Sequence, residues 1–472
     1  MLDVDSQAPR AANEAPLPAP RDEEGDLNPA FIAALSDAVA AGDVARACAL
    51  TEDLHAADLG DLLEALSPDE RPRLIELLGR EFDFTALTEV DDAVREEILE
   101  ELESATVAEG VREIDSDDAV YILEDLDPAD KAEILDRLPA MERVALQRSL
   151  DYPEDSAGRR MQTEFIAVPP FWTVGQTIDY MRETPDLPET FYEIFVIDPG
   201  ARLLGSVPLD RLLRSKRPVV IGDVMNDDVE RVEAGEPRED VARLFERYNL
   251  VSAPVVDEGG RLVGVLMVDG IVDVIEEEAD AEIKALGGVA PDEELSDTVW
   301  TIARSRFTWL LINLATAFLA SSVLKGFEAQ LEKMVALAVL APIVASQGGN
   351  AATQTMTVAV RALATRDLGS WNMLRVIVRE GLVGLLNGVA FAAITGGVAA
   401  IWFGNPGLGV VIGLAMVFTL VAAAMGGILI PLALDRSGAD PAVSSGPFVT
   451  TITDVVGFFA FLGIATLWFH LG

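Results

Sequence analysis

The chain has 472 residues, half of them apolar, and carries 79 Asp or Glu against 35 Lys or Arg, for a formal net charge of −44. The charge lies in the first 300 residues, with 72 acids and 26 bases, whereas the rest holds 7 acids and 9 bases. So acidic a chain repels phosphate backbones and anionic lipid headgroups, which excludes nucleic acid as a partner, and one cysteine (Cys48) with two histidines (His55, His470) excludes an internal disulfide or a thiolate or imidazole zinc site. Any metal the protein handles is therefore held by oxygen or by water.

Residues 1–27 carry acids and Pro9, Pro16, Pro18 and Pro20 with no apolar run, and read as a disordered tail without a cleavable signal peptide. This predicts a cytoplasmic N-terminal half. Residues 28–151 read as a helical repeat. A shift of 60 matches Leu66-Ser67-Pro68 to Leu126-Asp127-Pro128, each an N-cap followed by proline at the first helical position. Leu74, Leu77 and Leu78 then parallel Ile134 and Leu138, an apolar stripe for each helix of a small superhelix.

From 152 to 275 strand-like runs alternate with helices, and a shift of 59 matches Val196-Ile197-Asp198 to Val255-Val256-Asp257. Gly200, Arg202, Leu203, Gly205 and Asp210 match Gly259, Arg261, Leu262, Gly264 and Asp269 in the same frame. This segment resembles a tandem pair of CBS (cystathionine β-synthase-type) modules. The resemblance implies a regulatory sensor and leaves open whether ATP binds the pair.

Residues 276–302 read as an acidic connecting helix, including Glu276-Glu277-Glu278, with Val272, Ile275, Ala279, Ile283 and Leu286 on its apolar face. Five apolar segments follow within residues 303–472, near 305–324, 334–360, 376–402, 408–434 and 447–470, each long enough to cross about 30 Å of hydrocarbon. Arg304 and Arg306 before the first, and Arg361, Arg366, Arg375 and Arg379 around the second connection, put those ends in the cytoplasm and Gly472 outside.

Polar groups inside these spans point to function, because each needs a partner in lipid. Asp454, in Thr450-Thr451-Ile452-Thr453-Asp454, stands alone in a span with no basic residue after Arg436. An unpaired carboxylate at mid-membrane costs on the order of 3 kcal/mol, so a cation or water must face it, unless it is protonated or nearer the interface. Pro342 and Gln347-Gly348-Gly349-Asn350 predict an interruption of the second span, either where backbone lines a watery cavity or where small residues let helices approach. Asn387 reads as an interhelical hydrogen bond, Pro447 as the entry to the fifth span, and Arg379 with Glu380 as a local salt bridge. A carboxylate among hydroxyls, amides and carbonyls is a hard-oxygen environment suited to Mg²⁺ or Ca²⁺. Selectivity among Mg²⁺, Co²⁺, Mn²⁺ and Ni²⁺ is left open by these residues.

The motifs Tyr152-Pro153-Glu154-Asp155-Ser156-Ala157-Gly158-Arg159, Met161, Thr163-Glu164-Phe165, Gly326-Phe327-Glu328, Gly348-Gly349-Asn350, Arg361-Ala362-Leu363-Ala364-Thr365-Arg366-Asp367, Asp440-Pro441-Ala442 and Thr453-Asp454-Val455-Val456-Gly457 together resemble the MgtE family of magnesium channels. The resemblance implies a multi-domain fold: a cytosolic all-α superhelix, an α/β CBS pair, an acidic connecting (plug) helix and a five-span membrane domain. It implies a homodimer in the inner membrane, with no obligate protein partner, that passes Mg²⁺ and is closed by cytosolic Mg²⁺. On this sequence the pore aspartate falls on Asp454, with Thr453 beside it and Gly348, Gly349 and Asn350 along the same path. Sensor positions fall on Glu239, Asp269 and Asp273, while Asn249 and Gly270 stand where the family pattern has acids. Two alternatives are an ion-coupled transporter of divalent cations and a CBS sensor that transports nothing. No nucleophile–base pairing or Walker loop marks an enzyme.

Overall fold

The computed structural model describes residues 18–471 apart from 125, 186, 189, 292, 294–297, 366, 367, 369–371 and 439, and side chains apart also from those of 443 and 444. The chain divides after Glu276 into two compact units. The expected tail lies outside the described residues up to position 17. Residues 18–27, assigned to the same tail, are instead folded back: Arg21 bonds Asp58 at 2.7 Å and also pairs with Asp61, and the Asn28 N–H donates to the Pro20 carbonyl at 2.9 Å.

The first unit opens with helices α1 (Pro29–Ala41), α2 (Val44–Thr51), α3 (Ala56–Ala65), α4 (Arg71–Leu78), α5 (Asp92–Glu101), α6 (Ser104–Val111), α7 (Ser116–Glu124), α8 (Pro128–Arg137) and α9 (Ala140–Leu150). Their apolar stripes, including Leu35, Leu62, Leu63, Leu74, Ile98 and Leu123, form one continuous core. Asp127 and Pro128 start α8 as expected, but α4 starts only at Arg71. The Ser67 hydroxyl is bonded to the Glu70 carboxylate at 2.7 Å, which holds Ser67–Glu70 as a turn ahead of the helix.

The repeat at a shift of 59 is the framework of the next segment. Strands β1 (Ala167–Val168), β2 (Glu193–Ile197) and β3 (Leu203–Pro208) form one sheet, with helices α10 (Val174–Glu183), α11 (Leu209–Arg214) and α12 (Ile221–Val224). Strands β4 (Val232–Glu233), β5 (Ser252–Val256) and β6 (Leu262–Met267) form the second, with α13 (Arg238–Tyr248) and α14 (Val268–Leu286). In each sheet a parallel pair is followed by an antiparallel hairpin. The hairpin turns are built identically, with Asp198 and Asp257 each accepting two backbone N–H bonds at 2.8 and 2.9 Å. The units also exchange edges: Gln162 bridges to Val265 of the second sheet and Asn226 to Ser206 of the first. The repeated glycines make that exchange fit, since a Cβ on Gly264 would lie 2.8 Å from the Gln162 carbonyl and one on Gly205 would collide with that of Asn226.

Helix α14 departs from the expected connector. It begins at Val268, ends at Leu286 before the Gly287–Gly288 turn, and no helix follows among the described residues until Val299. Its buried face also differs: Ile271, Val274 and Ala285 are buried, whereas Val272, Ile275, Ala279 and Ile283 are exposed. Both sets have helical spacing, so periodicity alone does not choose between them.

The second unit contains α15 (Val299–Gly326), α16 (Glu328–Lys333), α17 (Val335–Ala364), α18 (Met373–Phe403), α19 (Pro406–Ser437) and α20 (Pro441–Phe469). Five of these contain apolar stretches long enough to span a membrane. Helix α19 is the most enclosed, with Val411, Ala415, Met416, Leu420 and Ala423 all buried, whereas α15 buries only Ala320. Pro447 lies inside α20 rather than at its entry. The start is Asp440, whose carboxylate accepts the Ala442 N–H at 2.7 Å with Pro441 at the first helical position. Asn387 is exposed and makes no hydrogen bond among the described residues, against the expectation of an interhelical bond.

Candidate functional site

Helix α17 is continuous from Val335 to Ala364, so the expected break at Gln347-Gly348-Gly349-Asn350 does not form. Its glycines serve close packing. A Cβ on Gly348 would lie 2.6 Å from Thr419 Cγ2 and 3.6 Å from Thr453 Cβ, so the backbone of α17 rests against α19 and α20 at this point. Gly427 makes a second such approach, where a Cβ would stand 2.7 Å from the Ala352 carbonyl. Pro342 sits within the helix and leaves it unbroken, as membrane helices tolerate where neighbours pack against them.

The two faces of α17 differ sharply. Val344, Gly348, Ala352, Met356 and Ala359 are buried, while Ser346, Asn350, Thr353 and Thr357, spaced four, three and four residues apart, are exposed. Helical geometry stacks the second set into one polar stripe. Thr353 and Thr357 donate their hydroxyl hydrogens to the Gly349 and Thr353 carbonyls, each at 3.0 Å, and keep both oxygen lone pairs as acceptors.

On α20, Thr450 and Thr451 bond back to the Gly446 and Pro447 carbonyls, and Thr453 is fully buried with its hydroxyl on the Thr450 carbonyl at 2.9 Å. Asp454, the next residue, is half-buried and makes no hydrogen bond or ion pair among the described residues. The structure thus brings Gly348 and Thr453 together beside Asp454, while Gly349 faces open space and Asn350 lies on the polar stripe. Sequence reasoning missed Thr419. It is fully buried between Gly348 and Gly457, and its hydroxyl has no hydrogen-bond partner among the described residues. The available signal was a lone hydroxyl in the most apolar span.

Within the same unit, the end of α14 lies against α17, α19 and α20. Ala285 packs with Ala352, Met356, Val360, Ala423 and Val449, and Glu282 accepts from Arg361 at 2.7 Å. Glu293, after α14, holds Arg306 of α15 through Nε at 3.0 and 3.2 Å. Of the Arg361–Asp367 motif, Arg366 and Asp367 lie outside the described residues.

A second constellation lies in the first unit, at the start of α7. Ser116 donates its hydroxyl to Glu164 at 2.7 Å and accepts the Thr163 N–H at 2.7 Å, which accounts for the Thr163-Glu164 motif as a clasp between helical repeat and CBS pair. Next to it, burial pushes the Asp118 carboxyl up to about 7, reinforced by the negative charges of Asp115, Asp269, Asp273 and Glu89. Asp117 is also pushed up, by its burial and by Asp118 and Asp115. Asp269 and Asp273 are therefore brought within electrostatic range of acids of the helical repeat. Glu239 stands in the first turn of α13, next to Arg238, whose N–H donates to the Asp155 carbonyl at 2.9 Å.

Three family profiles match the chain: the MgtE intracellular N domain over residues 54–155, the CBS domain over 221–277 and MgtE, a divalent cation transporter, over 341–464. The magnesium transporter MgtE of Thermus thermophilus is 38% identical over 330 residues, which cover 69% of this chain and 72% of its own. The chain belongs to the MgtE family. The magnesium transporter MgtE of Bacillus subtilis is 32% identical over 71% of this chain and 74% of its own. Among solved structures, the cytosolic domain of the Mg²⁺ channel MgtE in complex with ATP is similar at a TM-score of 0.48, with 30% identity, covering 52% of this chain and 99% of that one. Family membership and five apolar helices make this an integral membrane protein.

Proposed function

We propose that the protein is a Mg²⁺ channel of the cytoplasmic membrane that cytosolic Mg²⁺ closes. The observation that carries this reading is the polar stripe of α17 joined at Gly348 to α20, beside the unpaired Asp454. Neither a row of hydroxyls and amides nor a carboxylate is stable against hydrocarbon, so this surface faces water. A second copy of the chain supplies the opposite wall, with the two Asp454 side chains facing one another. Mg²⁺ sheds its waters reluctantly, so a wide oxygen-lined path that attracts the hydrated ion suits it better than a tight cage. The arginines at 304, 306, 361, 375 and 379 set the first and third helix starts inside and the C-terminus outside.

Closure follows from the acidic cluster. Asp115, Asp118, Asp269 and Asp273 repel one another until a divalent cation bridges them, and the compact arrangement then binds the ion better than the loose one. Asp269 and Asp273 ride on α14, whose last turn packs on the membrane helices through Ala285 and Glu282, so a shift of α14 alters the contacts around α17. ATP at the CBS pair is a further regulator by resemblance alone, and no step here depends on it.

The test is Mg²⁺ entry into dye-loaded liposomes containing the full-length protein, with no other ion gradient. Saturating entry at low Mg²⁺, lost in Asp454→Ala, supports the channel. Entry that requires a Na⁺ or H⁺ gradient selects coupled transport, and no entry under either condition selects a sensor.

A further inference from the structure

The end of the membrane unit where α17 stops and α18 starts carries several guanidinium groups. Arg375 and Arg436 form no ion pair among the described residues. Arg379 pairs at 3.0 Å with Glu380, but its own side chain stays 61% exposed while that of Glu380 is 15% exposed. Arg436, in the last turn of α19, reaches Met373 Sδ at 3.2 Å in the first turn of α18. Three guanidiniums thus gather at the same end of two adjacent membrane helices, the end the arginine pattern assigns to the cytoplasmic surface.

Two concavities meet at Arg379. One, of about 190 Å³, lies between α17, α18 and α19 and is lined by Thr355, Val358, Ala359, Val376 and Ile428. The other, of about 410 Å³, is an open apolar groove along α18, lined by Val378, Leu382, Val383 and Leu386 with Arg375 and Arg379 at its head. Arg375 and Arg379 are one turn apart on one face, and Val378, Leu382 and Leu386 continue at the same spacing for roughly 12 Å of helix. Two positive heads over an apolar channel match one chemistry: an anionic phosphate joined to an acyl chain. A free anion leaves the channel unfilled, and a neutral lipid leaves the charge unanswered.

We propose that this is a binding site for one phospholipid with an anionic headgroup, its phosphate on Arg375 and Arg379 and an acyl chain along Val378, Leu382 and Leu386. Guanidiniums bind phosphate through two parallel donors, which gives the headgroup a defined seat. The site is independent of the pore reading, since no residue in it belongs to the polar stripe of α17 or to α20.

The experiment is native mass spectrometry of the full-length protein in detergent with added phosphatidylglycerol, phosphatidylcholine of the same chains, or inorganic phosphate. The expected result is a phosphatidylglycerol adduct that survives activation, retained at least tenfold less by Arg375→Gln/Arg379→Gln and less by the groove-filling Leu382→Trp, with phosphatidylcholine retained weakly by all. Equal retention of both lipids, or no loss in either variant, overturns the proposal. Displacement of phosphatidylglycerol by inorganic phosphate reduces the site to an anion site and also overturns it. So does a fall in oligomeric state of Leu382→Trp with lipid retention unchanged, because the groove is then a contact between subunits.

Discussion

The two units use carboxylates in opposite ways. In the first, burial raises the Asp118 carboxyl, and the charges of Asp115, Asp269, Asp273 and Glu89 raise it further. In the second, Asp454 is a single acid in the interior of its span, reached by no base among the described residues. Water screens and solvates, so acids can crowd until their repulsion acts as a spring that a divalent cation relaxes. Hydrocarbon does neither, so one carboxylate is already costly and must be set where water or an ion meets it.

The largest expected effect breaks the membrane side of this contrast. Gly348→Val places a branched side chain where Thr419 leaves no room, and overpacking of this kind costs about 1–3 kcal/mol or more. Folded yield in detergent and Mg²⁺ entry should both fall severalfold, whereas Gly349→Ala, which meets open space, should keep its yield. Equal yields for the two would mean that α17 does not pack tightly on Thr419 of α19 at Gly348.

A smaller effect sharpens the cytosolic side. Because the folded-state value of Asp118, about 7, exceeds the ordinary 3.8, the folded state binds more protons than the unfolded one between those values. Stability in EDTA should therefore fall as pH rises through that window and level off above it. Asp118→Asn should flatten this fall and shrink the gain in melting temperature from added Mg²⁺. An unchanged pH profile in that variant would remove Asp118 from the cluster.

Below that comes the contact of α14. The Glu282–Arg361 pair is part-exposed, with side chains 28% and 64% accessible, so its loss costs at most about 1 kcal/mol. Glu282→Gln should raise Mg²⁺ entry at closing Mg²⁺ concentrations by no more than about fivefold, and flux assayed across a Mg²⁺ series tests it. The smallest effect is Thr419→Val, which removes a buried hydroxyl with no partner among the described residues and should raise the melting temperature slightly, through well under about 1 kcal/mol of added stability. A lowered melting temperature would show that the hydroxyl has a partner in the working protein.

Much of this was legible in the residues because it rests on local chemistry. Apolar runs longer than a bilayer is thick announced five spans. The repeat at a shift of 59 announced two matched hairpins, and Asp198 and Asp257 do turn identically. Where reading failed, two arrangements satisfied the same local rule. Gly348-Gly349 is compatible with a break or with a close helix approach, and only Thr419 on a distant segment decides for the second. Glu239 and Asp273 are equally acidic, and their local pattern does not say that Asp273 acts on Asp118 of the helical repeat.

The sequence by itself determined the division into an acidic region and an apolar one, the tandem units, the five spans and the isolation of Asp454 in the last of them, because each depends on composition or on spacing along one chain. Tertiary structure alone decided which face of α14 is buried, that α17 runs unbroken, and that Asp118 joins Asp269 and Asp273. Those outcomes depend on which surfaces meet across more than a hundred residues, and packing, unlike periodicity, cannot be read from one segment at a time.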